Sequence, residues 1–198
     1  MSSAHKLSPV SVEDYLLGEE HAKRKHEYVC GKIHAQAGGT NAHNAISSNV
    51  LILLGSQLRG KRCSAFNSDT KIRIQEAAGS RFYYPDASVV CDENPPGDTF
   101  QDSPVLIVEV LSPSSRRIDE EEKRQAYLSV SSLRYYLLVE QSEAAAVLYS
   151  KSGEMINRTV FSSQNDTIEF PDIACSLILA EMYEGVTFPE LEPDDSRD

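Results

Sequence analysis

The chain has 198 residues, 40% of them apolar and 25% charged, which suits one globular domain with a sizeable core. Its net charge of −11 argues against an extended basic face for duplex DNA, though not against a small local one. No apolar run approaches the length of a membrane span, and the N-terminal MSSAHKLSPVSVEDY lacks the apolar stretch of a signal peptide. The first element expected is a helix from Ser11 to about Ala22, with Ser11 as N-cap and Asp14 three residues on. EYVCGKIHAQAGG reads as two short strands around Gly31. Asn41 to about Leu58 is the best long helix, with Ile46, Val50, Leu53 and Leu54 on one stripe. Strands CSAFNS, KIRIQ, FYYPDASVVC and VLIVEVLS follow. A helix from Asp119 to about Val130 comes next. Asp119 matches an N-cap and Glu122 completes a capping-box-like pattern. RYYLLVE, AAVLYS, INRTVFS and TIEF read as further strands, and SLILAEMYEG as a closing helix ending near Gly185. The whole is expected to be one α/β (α+β) domain over residues 1–188, a mixed central sheet flanked by helices. The acidic tail 189–198, PELEPDDSRD, is expected to fray.

Cys30, Cys63, Cys91 and Cys175 are far apart, with no C-x-x-C or Cys/His cluster that would suggest a zinc knuckle. Four lone cysteines fit a reducing cytoplasm better than a disulfide framework, so a cytoplasmic location is expected. No G-x-x-x-x-G-K-[ST] or G-x-G-x-x-G pattern occurs, so Gly38-Gly39 before the long helix is a weak phosphate cradle.

PVLIVEVLSPS, Pro104 to Ser114, is the segment with chemistry in it. The run is apolar and β-branched enough to be buried on both faces, yet Glu109 stands in its middle. An unpaired buried charge costs several kcal/mol, so Glu109 needs compensation. Asp86, after Pro85, is a second carboxylate among apolar residues. Alone, Pro-Asp reads as an ordinary turn. On neighbouring strands the two carboxylates need a cation between them. Mg²⁺ suits this because it takes one or two protein carboxylates and completes its octahedron with water and phosphate. The Val110 carbonyl offers a further ligand. Lys123 lies three, four and seven positions before Ala126, Tyr127 and Val130, which puts it on the face toward the sheet. A lone Lys there would more often snorkel to solvent.

Pro85-Asp86 followed by Glu109-Val110-Leu111 resembles the PD-(D/E)XK nuclease superfamily. The longer string YYPDASVVCDE…PVLIVEVLSPSS…D…K…Y…LRYYLLVE, with HEYVCGKIHAQAGGTNAHNAI upstream, resembles its Uma-type restriction-endonuclease family over roughly Val12 to Glu140. The resemblance implies a restriction-endonuclease-like fold and metal-dependent phosphodiester hydrolysis of DNA or RNA. Asp86, Glu109 and Val110 would hold Mg²⁺ or Mn²⁺. Leu111 stands where the superfamily has its Lys, and Lys123 on the next helix is the matching residue. Glu27, before the first hairpin, matches a further family acid that would orient the site. His43, Arg116 and Arg117 are possible phosphate contacts, though each also reads as an ordinary helix-start or loop residue. A homodimer is possible, since restriction-type nucleases often pair to cut both strands. Two other readings stay open: a degenerate nuclease fold that binds nucleic acid or protein without cutting, and a structural module in which Glu109 and Lys123 form a buried ion pair.

Overall fold

A computed structural model describes residues 8–36 and 38–188 of the chain, so the tail 189–198 lies outside the described residues. Helix α1, Val12–Glu20, is capped as expected: the Ser11 side chain accepts from the Asp14 N–H. The hairpin β1 (His26–Val29) and β2 (Lys32–Ala35) turns through Cys30 and Gly31, both at positive φ. That conformation suits a tight hairpin and is the reason for glycine there. Helix α2, Asn41–Leu58, is capped by Thr40 and buries Ile46, Val50, Leu54 and Leu58. Each such side chain contributes roughly 1.5–3 kcal/mol by leaving water.

Strands β3 (Ser64–Asn67), β4 (Lys71–Glu76), β5 (Gly79–Tyr83), β6 (Ala87–Val90), β7 (Phe100–Gln101) and β8 (Pro104–Leu111) follow. After them come a π-helix at Ile118–Lys123 and α3 at Arg124–Ser129. The chain closes with β9 (Tyr135–Glu140), β10 (Ala146–Ser152), β11 (Met155–Phe161), β12 (Thr167–Phe170), β13 (Cys175–Ile178) and a short α4 (Leu179–Met182).

The expected mix of strands with flanking helices is present, but the strands do not form one sheet. Five order as β2-β1-β5-β4-β7, six as β11-β10-β9-β8-β6-β3, and β12-β13 form a separate hairpin. The segment FYYPDASVVC, expected as one strand, is broken at Tyr84-Pro85-Asp86. Its first half, β5, pairs in the five-stranded sheet, and its second half, β6, pairs in the six-stranded one. Pro85 cannot donate to a ladder, which is a local reason for the break. SLILAEMYEG is likewise no single helix: Cys175–Ile178 pairs with β12 before α4 begins. Its alternating burial, with Cys175 and Leu177 inside, is a strand pattern.

β8 is the strand on which the site depends. It pairs antiparallel with β6 and parallel with β9 across a helical crossover. Its residues alternate between two cores. Leu106, Val108 and Val110 pack with Ile46, Val50 and Leu54 of α2. Ile107 and Leu111 pack with Ala126, Tyr127 and Leu128 of α3. Glu109 is in phase with Ile107 and Leu111, so it points toward the crossover helix. The cysteine expectation is also corrected. Cys63 and Cys91 form a disulfide, because Ser64 pairs with Val90 and places the next residues outward opposite each other. Cys30 and Cys175 are the free cysteines among the described residues. No described helix is long and apolar enough to cross a membrane.

Candidate active site

The chain crosses from one sheet to the other at Asp86, and a cleft of about 870 Å³ opens beside that crossing. Ala87 is opposite Val108, so Asp86 emerges next to the end of β8, where Glu109 and Val110 lie. The Val110 N–H donates to Asp86 Oδ2 at 2.7 Å. His43 Nε2 meets Asp86 Oδ1 at 2.9 Å from the first turn of α2. His43 can reach it because Gly39 has no side chain: a Cβ there would come within 2.5 Å of the imidazole. His43 is therefore more than an ordinary helix-start residue. Burial opposes its protonation, but the Asp86 carboxylate outweighs burial and raises its pKa.

Lys123 occupies the centre. Its ammonium is 3.0 Å from Glu27 Oε1, 3.2 Å from Asp119 Oδ1 and 3.3 Å from Glu109 Oε1. Both Lys123 and Glu109 are buried. Burial disfavours the ammonium, but the three carboxylates outweigh it and hold the Lys123 pKa well above its ordinary value. Burial pushes the Glu109 carboxyl well above the usual range; Lys123 opposes this, and Asp119, Asp86 and Glu27 add to it.

Asp119 was expected to cap a helix. Instead it is interior and 1% exposed, because the helical turn starts earlier: Arg116 and Asp119 donate to the carbonyls of Ser112 and Ser115. Glu122 does not complete a capping box either. It accepts from the Tyr83 hydroxyl at 2.8 Å and from Arg81 at 3.2 Å. The helix opens as a π-helix, a form that recurs at functional sites. Asp119 is the site residue that sequence reasoning missed. Its signal was the spacing to Lys123, since residues four apart share a helix face. Of the possible phosphate contacts in the SPSSRR loop, Arg116 is held by Glu140 and Glu120, and neither Arg116 nor Arg117 lines the cleft.

Four carboxylates, Glu27, Asp86, Glu109 and Asp119, thus converge on one ammonium and one imidazole. Glu27 Oε1 and Asp119 Oδ1 are buried and, although within ion-pair reach of Lys123, have no hydrogen-bond partner. Among the described residues no three His, Cys, Asp or Glu side chains form a ready-made metal cage. The donor chemistry nonetheless fits a hard divalent cation: four carboxylates stand around one ammonium, on an open cleft with room for water and phosphate.

Comparison with known proteins adds the following. The profile of the Uma2 family, described as "Putative restriction endonuclease", matches residues 12–180. Two proteins of Synechocystis sp. are similar over most of their length. "Uncharacterized protein slr1290" is 36% identical, covering 92% of this chain and 94% of its own. "Uncharacterized protein sll1609" is 32% identical, covering 81% and 92%. Among solved structures, "a putative nuclease belonging to DUF820 from Anabaena variabilis ATCC 29413" superposes with a TM-score of 0.71 at 19% identity. It covers 89% of this chain and 98% of that one, a likeness of fold.

Proposed function

Because the chain belongs to the Uma2 family of restriction-endonuclease-like proteins, we propose that it hydrolyses phosphodiester bonds of nucleic acid in the cleft between its two sheets, with a divalent metal. The observation that carries the reading is the surplus of carboxylate: four converge where a structural ion pair would need one. Asp86 and Glu109, with the Val110 carbonyl, are the residues that would hold Mg²⁺ or Mn²⁺. When bound there, such an ion supplies polarisation of a phosphate oxygen and a lowered pKa for a water.

The remaining work falls to the chain. Lys123 stays an ammonium, so it acts as fixed positive charge toward negative charge developing on the phosphate, or as a donor that orients the water. Glu27 and Asp119 keep the ammonium on the Glu109 side of the cleft. His43 and the Val110 N–H fix the Asp86 carboxylate. The burial of Lys123 and Glu109 strengthens the interactions between them.

The test is cleavage of a panel of DNA and RNA substrates with Mg²⁺ or Mn²⁺. Wild type should cut. Lys123→Ala should cut about 10²–10⁴-fold more slowly, the range typical of one well-placed catalytic group. Glu109→Gln, which should keep its fold, should also lose metal-dependent cleavage. If wild type binds nucleic acid but cuts nothing with either metal, the degenerate binding module becomes the better reading.

A further inference from the structure

The loop joining α1 to β1 reads His21-Ala22-Lys23-Arg24-Lys25-His26, three consecutive cations in a chain of net charge −11. Lys25 is committed to the fold. Its ammonium donates to the Ser68 carbonyl at 2.7 Å and pairs with Asp69 at 2.7 Å, which ties the loop to the turn between β3 and β4. Lys23 and Arg24 are exposed, and neither has an ion-pair partner among the described residues. Arg24 and Lys25 line the cleft, and with Lys23 they also border a smaller depression of about 240 Å³. The loop is therefore a lip of the cleft. Apart from Lys123, no other Lys or Arg among the described residues lines the cleft. The wall on the crossover side is Ser112, Ser114, Ser115, Ile118 and Glu122. Among the described residues at the cleft, the uncommitted positive charge is on this lip.

The position of that lip sets a length. Arg24 is three residues from Glu27, which touches Lys123. Three residues span at most about 10 Å. In duplex geometry each strand advances about 3.4 Å per phosphate along the helix axis, and a more extended single strand advances further. The lip therefore meets one of the first two or three phosphates beyond the reacting one.

We propose that Lys23 and Arg24 form a one-sided phosphate clamp. The substrate is then a polynucleotide strand running out over this lip, carrying at least two or three phosphates on that side of the cut. The placement of the reacting phosphate rests on the nuclease reading above. Two contacts predict a weak salt dependence, a slope of log affinity on log salt of about −1.4 for a single strand, far below that of proteins with 6–10 phosphate contacts.

The experiment is fluorescence anisotropy of a labelled 12-nucleotide DNA strand with the full chain, in Ca²⁺, across a salt series. The double variant Lys23→Ala/Arg24→Ala should bind about tenfold more weakly at low salt and lose nearly all of that slope of about 1.4. Its melting temperature should match wild type, since both side chains are exposed. Lys23→Glu/Arg24→Glu should bind more weakly still. Affinity and slope equal to wild type in both variants overturn the clamp, as does a wild type that binds no strand at all. Cleavage with Mg²⁺, run in parallel, separates the two readings. A wild type that cuts while the variants bind normally removes the clamp and leaves the nuclease. A wild type that binds through Lys23 and Arg24 yet never cuts keeps the clamp and removes the nuclease.

Discussion

Arg73 meets one carboxylate. Its guanidinium forks onto Asp102 at 2.6 and 2.7 Å and stacks over Phe100 at 4.3 Å, while Asn94 donates a further bond to Asp102 at 2.9 Å. Lys123 meets three carboxylates, and a fourth, Asp86, stands beside them with an imidazole and a backbone N–H. The first cluster is balanced, one cation to one anion, and every oxygen of Asp102 is used. The second is unbalanced: three carboxylates face one ammonium and Asp86 adds a fourth. Both clusters set cationic side chains against carboxylates; the charge count separates them. A brace has no use for surplus buried charge, because each uncompensated ion costs several kcal/mol. A site that must receive a cation does. Lys123 compensates Glu109 in part; under the nuclease reading proposed above, the remaining negative charge is what a bound metal would offset.

The largest effect should come from removing the one cation. Lys123→Ala leaves Glu27, Glu109 and Asp119 facing each other in a buried site and should cost about 3–5 kcal/mol, as breaking a buried pair does. Denaturant unfolding without metal measures it. A variant as stable as wild type would mean the carboxylates are not held by Lys123, and the contrast with Arg73 would collapse.

Next in size is the response to metal. Mn²⁺ should stabilise wild type by about 2.7 kcal/mol when free metal reaches 100 times its dissociation constant. Asp86→Asn and Glu109→Gln should lose most of that gain, whereas Asp102→Asn should keep it. Thermal melts with and without Mn²⁺ report all four proteins. Equal stabilisation of all four would place the ion elsewhere.

The sequence carried the Glu109 strand, the capped α1, the long α2 and the pairing of Asp86 with Glu109, because each rests on a local pattern: a β-branched run, a Ser cap, a period of 3.6, a carboxylate among apolar residues. Asp119 was misread for the same reason. Asp119 and Glu122 have capping-box spacing, and nothing local shows that Ser112 and Ser115 have already started the turn. The split into two sheets was hidden because Tyr84-Pro85-Asp86 breaks pairing without breaking the hydrophobic run. The Cys63–Cys91 bridge follows from the β3–β6 register, a tertiary fact. Arg116-Arg117 lies next to the Glu109 strand in sequence, yet Arg24 and Lys25, far from it in sequence, are the residues that tertiary packing brings to the cleft.

A smaller effect belongs to the balanced cluster. Burial raises the Asp102 pKa, but the Arg73 and Asn94 hydrogen bonds outweigh it and bring it below its ordinary 3.8. A depressed folded pKa stabilises the fold above the ordinary value, and that stability is lost as pH falls through the lower folded one. Asp102→Asn should therefore cost about 1 kcal/mol at neutral pH, a value kept low because the pair is partly exposed and screened. The difference from wild type should close below about pH 4. A cost that persists unchanged at pH 2.5 would mean that packing, not charge, is what the substitution removes.

The smallest effect is the most informative, because it applies the same chemistry to the unbalanced cluster and should have the opposite sign. Glu109→Gln, like Asp102→Asn, swaps a carboxylate for its neutral isostere. If Glu109 and Lys123 were an isolated buried pair, the change would strand an ammonium and cost about 3–5 kcal/mol. Lys123 is not stranded: Glu27 and Asp119 remain at 3.0 and 3.2 Å. What disappears is one hydrogen bond at 3.3 Å and the repulsion of Glu109 by Asp119, Asp86 and Glu27. The Glu109 carboxyl is held well above its ordinary pKa, so its ionised form is disfavoured in the fold and an amide removes that cost. Metal-free stability should therefore stay within about 0.5 kcal/mol of wild type or rise, against the usual tendency of substitutions to destabilise. Paired melts of Glu109→Gln and Asp102→Asn at pH 7 without metal give the comparison directly. A Glu109→Gln loss as large as that expected for an isolated pair would make the carboxylate a brace after all, and the cleft would lose its claim to a metal.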